Sequence, residues 1–315
     1  LKKDELFFDF EQKILTNIPS FLFVTSNPER YSIWEKVKLC PHNRLDEVVD
    51  SDGIQRGVSP DLKKAFLADT ATVKKYSLEK EKLRKVITGG KQVKRYFIDY
   101  PDLWLIYTND KDNFKKLPNI RAYIDQFKDE ITCKEVEQNK HSIYSLHRAR
   151  QEQIFTKSKK ILGVITEDEI IIAPDTTQVF ATDGLYIFGL KNEAEVNYIL
   201  AVLNSKLMKF IYRLLASETG RVLAQVKPTT LGQIPIRSLN LANSVEKAQH
   251  DKMTSLAEQM LEFHKNFAVA KNPQDKERLE RQIAVTNKAI DLLVYELYDL
   301  SDEEKKIVDD SLLKA

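Results

Sequence analysis

Apolar and polar positions follow three regimes along this chain. Between residues 51 and 190, short runs rich in Ile, Tyr and Phe recur: Tyr96-Phe97-Ile98-Asp99-Tyr100, Leu103-Trp104-Leu105-Ile106-Tyr107, Lys160-Ile161-Leu162-Gly163-Val164-Ile165, Glu169-Ile170-Ile171-Ile172-Ala173 and Gly184-Leu185-Tyr186-Ile187-Phe188. Asp102, Asn109-Asp110, Pro174-Asp175 and Asp183-Gly184 punctuate them, so these runs are predicted to be strands. One helix is predicted among them, near 120–137, because Pro118-Asn119 precedes Ile120, Tyr123, Ile124 and Phe127 at helical spacing. From 193 to 216, Val196, Ile199, Leu200, Leu203, Leu207, Phe210, Ile211 and Leu214 recur at three- and four-residue steps. They predict one continuous helix, stopped by Gly220. From 243 to 298, the series Met253, Leu256, Met260, Phe263, Phe267 and Leu279, Ile283, Ile290, Leu293, Leu297 flank Pro273 and predict two antiparallel helices packed along a heptad-like seam. Ser301 and Glu304 form a capping box for a last short helix.

The fold class expected is mixed α/β of the α+β kind: a twisted, largely antiparallel sheet with flanking helices, then a C-terminal helical hairpin. The expected division is an entry segment at 1–50, a sheet domain at 51–240 and a helical unit at 241–315. A length of 315 residues suits about two structural units.

Charge changes this picture locally. The net charge of +2 excludes a histone-like polycation, but residues 61–160 hold 23 Lys+Arg against 14 Asp+Glu, while 241–315 hold 11 against 15. A basic excess confined to one third of the chain reads either as a solvated Lys-rich face or as an anion-binding surface. Cys40 and Cys133 are the only cysteines, which implies no disulfide framework and fits a reducing cytoplasm. No signal peptide or membrane-length apolar run is visible. The first residue is Leu, which suits a piece of a longer protein.

Motifs for chemistry are largely missing. Methylation of exocyclic amines uses a short Asn/Asp-Pro-Pro-aromatic motif, and no Pro-Pro pair occurs here; Gly89-Gly90 lacks the spacing of a nucleotide-binding turn. Glu11-Gln12-Lys13 and Asp61-Leu62-Lys63 match the carboxylate-x-Lys triplet of magnesium nucleases, but such triplets arise by chance at 30% charged residues. Cys40-Pro41-His42 has no second pair at zinc-ligand spacing. No catalytic residue, metal site or cofactor is expected in this chain. Trp34, Trp104, Tyr96 and Tyr100 read as core, the last two on one strand face.

Several segments, taken in order, resemble the TaqI-like C-terminal specificity domain of type II restriction-modification enzymes. They are Ile54-Gln55-Arg56-Gly57-Val58, Lys64-Ala65-Phe66-Leu67, the run Ile87 to Tyr96 with its Gly-Lys-x-x-x-Arg-Tyr pattern, and Leu117-Pro118-Asn119-Ile120-Arg121-Ala122-Tyr123. Tyr144-Ser145-Leu146-His147-Arg148-Ala149-Arg150, Leu200-Ala201-Val202-Leu203-Asn204-Ser205-Lys206, the closing run Leu231 to Ile236 and the tail Leu293 to Ser301 continue the match, which covers roughly 50–300. The resemblance implies a domain that reads a short duplex target for an adenine-N6 methyltransferase, fused or acting in trans, with S-adenosylmethionine held in that missing half. Rival readings are a free-standing specificity subunit, an endonuclease with its own magnesium site, and a protein scaffold without DNA affinity.

Phosphates are gripped by Lys and Arg, and base edges by side chains such as bidentate Arg. The candidates are Lys91, Lys94 and Arg95 at a strand entry; Arg148, Arg150, Lys157, Lys159 and Lys160 as the densest cluster; Arg56 beside Gly57; and Arg221 and Lys227 before Pro228-Thr229-Thr230. Arg148 and Arg150, two apart, face the same way if their segment is extended.

Overall fold

The computed structural model describes residues 28–138, 140–216 and 224–313. Contacts group them into a sheet unit, Val49–Thr166 with Ile171–Val196, and a helical unit, which takes the residues before Val49, Glu167–Ile170 and the chain from Asn197 onward. These limits differ from the three expected segments. The reason is local pairing: His42–Arg44 runs antiparallel to Pro235–Arg237, and Asp291 of a C-terminal helix accepts the Lys206 N–H at 2.9 Å. Both ties draw the end of the expected sheet domain into the helical unit.

The sheet unit is mixed α/β, as expected. One sheet has the order Gln55–Arg56, Leu185–Phe188, Lys160–Val164, Ile172–Asp175, with every neighbour antiparallel. Lys160–Val164 and Leu185–Phe188 are buried at every position, which explains why they read as near-continuous apolar runs rather than alternating ones. A second sheet runs Phe180–Ala181, Leu83–Ile87, Trp104–Ile106, Leu67–Ala68, and only its first pair is parallel. Val93–Lys94 and Phe97–Ile98 form a small ribbon. Phe66, Ile87, Leu105, Phe155 and Phe180 lie in one core, where the Phe155 and Phe180 rings stack at 4.4 Å. Burying such side chains contributes about 1.5–3 kcal/mol each relative to exposure.

Three expectations within this unit change. The helix predicted near 120–137 is only Pro118–Asp125, followed by a tight turn at Lys128–Glu130 and a short helix, Lys134–Glu137; Tyr76 Oη donates to Gln126 Oε1 just past the first piece. Tyr96 is buried but has φ +63°, whereas Tyr100 is 45% exposed. The left-handed residue breaks the alternation, so the two tyrosines do not share a strand face. Trp104 is half-buried, donating from Nε1 to Thr70 Oγ1 at 2.8 Å, with Lys85 over its ring.

In the helical unit, Ser244–Val269 and Pro273–Leu297 are the predicted pair. Asn243 caps the first through its side chain, and Asn272 with Pro273 opens the second. Met253, Ala257, Met260, Leu279, Ile290 and Leu293 are the buried seam. The predicted box before Asp302–Leu313 forms: the Ser301 N–H reaches Glu304 Oε2 at 2.7 Å, and the Glu304 N–H reaches Ser301 Oγ at 3.3 Å. The long helix expected at 193–216 is two helices, Val196–Leu203 and Lys206–Ala216. They break where Ser205 Oγ turns back to the Val202 carbonyl at 2.7 Å and Asp291 caps Lys206. Its expected stop, Gly220, lies outside the described residues. Among the described residues, no helix is long and apolar enough to cross a membrane.

Candidate nucleic-acid interface

Many of the basic side chains in 61–160 are paired with acids of the sheet unit. Lys64 pairs with Glu130, Lys82 with Asp112, Arg84 with Glu152 and Lys85 with Asp102. Two of the predicted contact residues belong to the same category. Lys157 is held by both Asp50 and Asp52; these two partners outweigh its partial burial and raise its pKa, and its hydrogen bond lowers that of Asp52. Lys160 departs furthest from expectation. Its side chain is fully buried against Asp175, because Lys160 and Asp175 stand directly opposite each other on adjacent strands. A lysine with no exposed surface cannot meet a phosphate, and Lys160 is a core residue.

Three other predicted residues are brought together. Arg56 lies on the edge strand Gln55–Arg56. Three residues beyond it the chain bridges to a distant segment: the N–H groups of Ser59 and Arg148 each reach the other's carbonyl at 3.1 Å. Arg150 then takes a left-handed conformation, φ +60°, held by Tyr107 Oη donating to its carbonyl at 2.8 Å. The extended segment assumed from sequence is therefore absent at Arg150. Tertiary pairing rather than strand alternation gathers the arginines. The Arg150 guanidinium has its pKa lowered by partial burial and then by the nearby charges of Arg148 and Arg56, with Asp183 opposing. Asp183 is itself taken by Ser59 Oγ at 2.7 Å. Among the described residues no carboxylate forms an ion pair with Arg56, Arg148 or Arg150, and Arg148 is exposed. Three mutually repelling cations with one carboxylate in reach stabilise an anion placed among them.

Gly57 makes this arrangement possible. A Cβ on it would lie 2.3 Å from the carbonyl oxygens of both Ala181 and Thr182, and backbone carbonyls cannot step aside as a flexible side chain would. Gly57→Ala is expected to cost at least about 1–3 kcal/mol through overpacking, read as a lower urea midpoint. An unchanged midpoint would show that the edge strand shifts freely. In the sequence, Gly57 stands out beside Arg56 and within the run Ile54 to Val58, and Asp183 only as a turn residue.

The remaining candidates are more scattered. Lys91 and Lys94 are exposed at the Val93–Lys94 ribbon, Lys94 donating to the Gly90 carbonyl at 3.1 Å, and Arg95 is half-buried. Lys159 is half-buried near the Glu193 carbonyl. Lys227 is exposed in the helical unit, and Arg221 lies outside the described residues.

The sheet unit is thus an α+β module with three arginines gathered beside an edge strand. Residues 85–236 match the model of the TaqI-like C-terminal specificity domain. Among solved structures, the fold resembles the type IIL restriction-modification enzyme MmeI, solved in complex with DNA, at TM-score 0.55 and 12% identity; the match covers 88% of this chain and 36% of that one. The type IIG restriction endonuclease BpuSI matches at TM-score 0.41 and 12% identity, over 87% of this chain and 34% of that one. The chain therefore spans about a third of the length of these enzymes. A search of curated proteins returned no match.

Proposed function

We propose that this chain is the target-recognition module of a restriction-modification enzyme, binding duplex DNA sequence-specifically and carrying no catalytic centre itself. The observation that carries the reading is the specificity-domain match over 85–236. The arginine cluster supports it by supplying cations where a phosphate or a guanine edge could be gripped. In this reading, methylation of a target adenine, with its S-adenosylmethionine, belongs to a methyltransferase acting in cis or in trans, and the module works in the cytoplasm.

The test is binding of this chain to mixed duplex DNA and then to a selected target, followed by fluorescence anisotropy across a salt series. Binding should fall linearly on a log–log plot, with a slope of about −0.9 per phosphate neutralised. Selected duplexes should bind on the order of a thousandfold or more tighter than random ones. Salt-insensitive binding, or none at low salt, would rule out recognition by this chain alone.

A further inference from the structure

Away from the arginines, the sheet unit gathers a thiol, an imidazole and two carboxylates from three separate stretches of chain. Asp61 precedes the helix Lys63–Phe66, Cys133 and Glu135 stand at the start of Lys134–Glu137, and His147 adjoins Arg148. Donor atoms of Asp61, Cys133 and His147 all lie within 4.8 Å of one another. His147 Nδ1 is 3.3 Å from Asp61 Oδ1, and its Nε2 is 3.6 Å from Glu135 Oε1. Cys133 Sγ lies 2.9 Å from Glu135 Oε2.

The carboxylate of Asp61 is the telling group. Its side chain is only 7% exposed, and Oδ2 is buried with no hydrogen-bond partner. A buried carboxylate oxygen left unsatisfied is costly, and native structures rarely leave one so. The contact with His147 engages only the other oxygen. His141 packs edge-on against His147, with ring centres 5.9 Å apart. Both its nitrogens are already used, by Asp110 and by the Ser145 carbonyl, each at 3.0 Å, so it walls the cluster without being a donor to it.

We propose that Asp61, Cys133 and His147 bind a divalent transition metal of the zinc class, with solvent in the fourth position. One thiolate, one imidazole and one carboxylate supply three of the four donors of a tetrahedral zinc site. Bonds of about 2.0–2.3 Å put tetrahedral donors roughly 3.5 Å apart, so binding needs a contraction of about 1 Å. The ion would clip the segment bearing Arg148 to two distant parts of the unit. The site stands on its own geometry, independently of the DNA reading.

The experiment uses the intact chain, reduced and metal-free. Zn²⁺ is titrated in competition with a chromophoric chelator, and Co²⁺ serves as the spectroscopic probe. One equivalent should bind, and the cobalt complex should show thiolate-to-metal charge-transfer absorption and raise the melting temperature. Cys133→Ser should abolish that absorption while still folding, since Ser is itself a good helix cap; His147→Ala and Asp61→Asn should each weaken zinc binding by about tenfold or more, and Cys40→Ser should change nothing. Absence of saturable binding, or binding that survives Cys133→Ser with the charge-transfer band intact, would overturn the assignment.

Discussion

Asp175→Ala is expected to destabilise the sheet unit by about 3–5 kcal/mol, because it strands the Lys160 ammonium without a counter-charge in the core. Both side chains have no exposed surface, so water cannot take over. Lys160→Ala should cost a similar amount by stranding the carboxylate. The two losses differ in detail, since Asp175 serves more than the lysine. Its Oδ1 accepts from Tyr100 Oη at 2.8 Å, Thr177 Oγ1 at 2.6 Å and the Thr177 N–H at 3.1 Å, and Oδ2 accepts from the Val179 N–H at 3.2 Å. Lys160→Met with Asp175→Leu should therefore recover part of the loss, as apolar replacements of buried pairs do, but not all of it, because those donors stay unpaired.

The same pair sets an acid limit. Burial pushes the Asp175 carboxyl up, but the Lys160 charge and the bonds from Lys160, Thr177 and Tyr100 more than offset it, leaving its pKa below the ordinary value. A carboxylate with a depressed folded pKa contributes stability that is present above its unfolded value, about 3.9, and is lost as pH falls through the folded value. Urea midpoints of the parent chain should therefore hold between pH 7 and 5, as far as this group is concerned, and drop below about pH 4. A parent and an Asp175→Ala variant with identical acid slopes would exclude Asp175 from that loss.

The second large effect is expected at the arginines. If Arg56, Arg148 and Arg150 each neutralise one phosphate, replacing all three with Ala should flatten the log–log salt slope by about 2.7 and weaken binding several hundredfold at 0.1 M salt, by order of magnitude. Lys64, paired with Glu130, is the control whose removal should leave the slope alone. One of the three acting as a base reader would instead relax specificity at one position of the target, by about 1–3 kcal/mol. A triple variant that melts like the parent and keeps its full slope would remove the cluster from the interface.

What could be read from sequence divides along physical lines. The paired C-terminal helices and the Ser301–Glu304 cap were legible because their determinants are local: three- and four-residue spacing, Asn and Ser caps, and Pro273 at a helix start. The strands at 160–164 and 185–188 were legible from their apolar runs. The break at Asn204–Ser205 was not, because it is fixed by Asp291, more than eighty positions away. The site followed the same rule. Lys160 read as a surface cation because the register that sets Asp175 opposite it is invisible in a single strand, and Pro174-Asp175 looked like an ordinary turn. Arg148 and Arg150 were singled out for a strand geometry that Arg150 does not adopt, and their meeting with Arg56 depends on the long-range bridge to Ser59. The thiol–imidazole–carboxylate cluster left no trace in ligand spacing, since its members come from three distant stretches.

The bridge between Val49 and Leu190 has a consequence for how such a chain is rebuilt. It brings the entry to the sheet unit and a point six residues before its exit within one hydrogen-bonded step, Asp50 N–H to the Gly189 carbonyl at 3.1 Å. Nearly everything between them belongs to that unit; the exception is Glu167–Ile170, two of whose side chains, Asp168 and Glu169, pair with Arg213 and Lys209 of the helical unit. Residues 49–190 are therefore a segment with adjacent ends, the geometry that tolerates excision and insertion. A graft cut at 49 and 190, with 167–170 kept from the recipient, exchanges nearly the whole unit, whereas a cut at 85 and 236 would sever both.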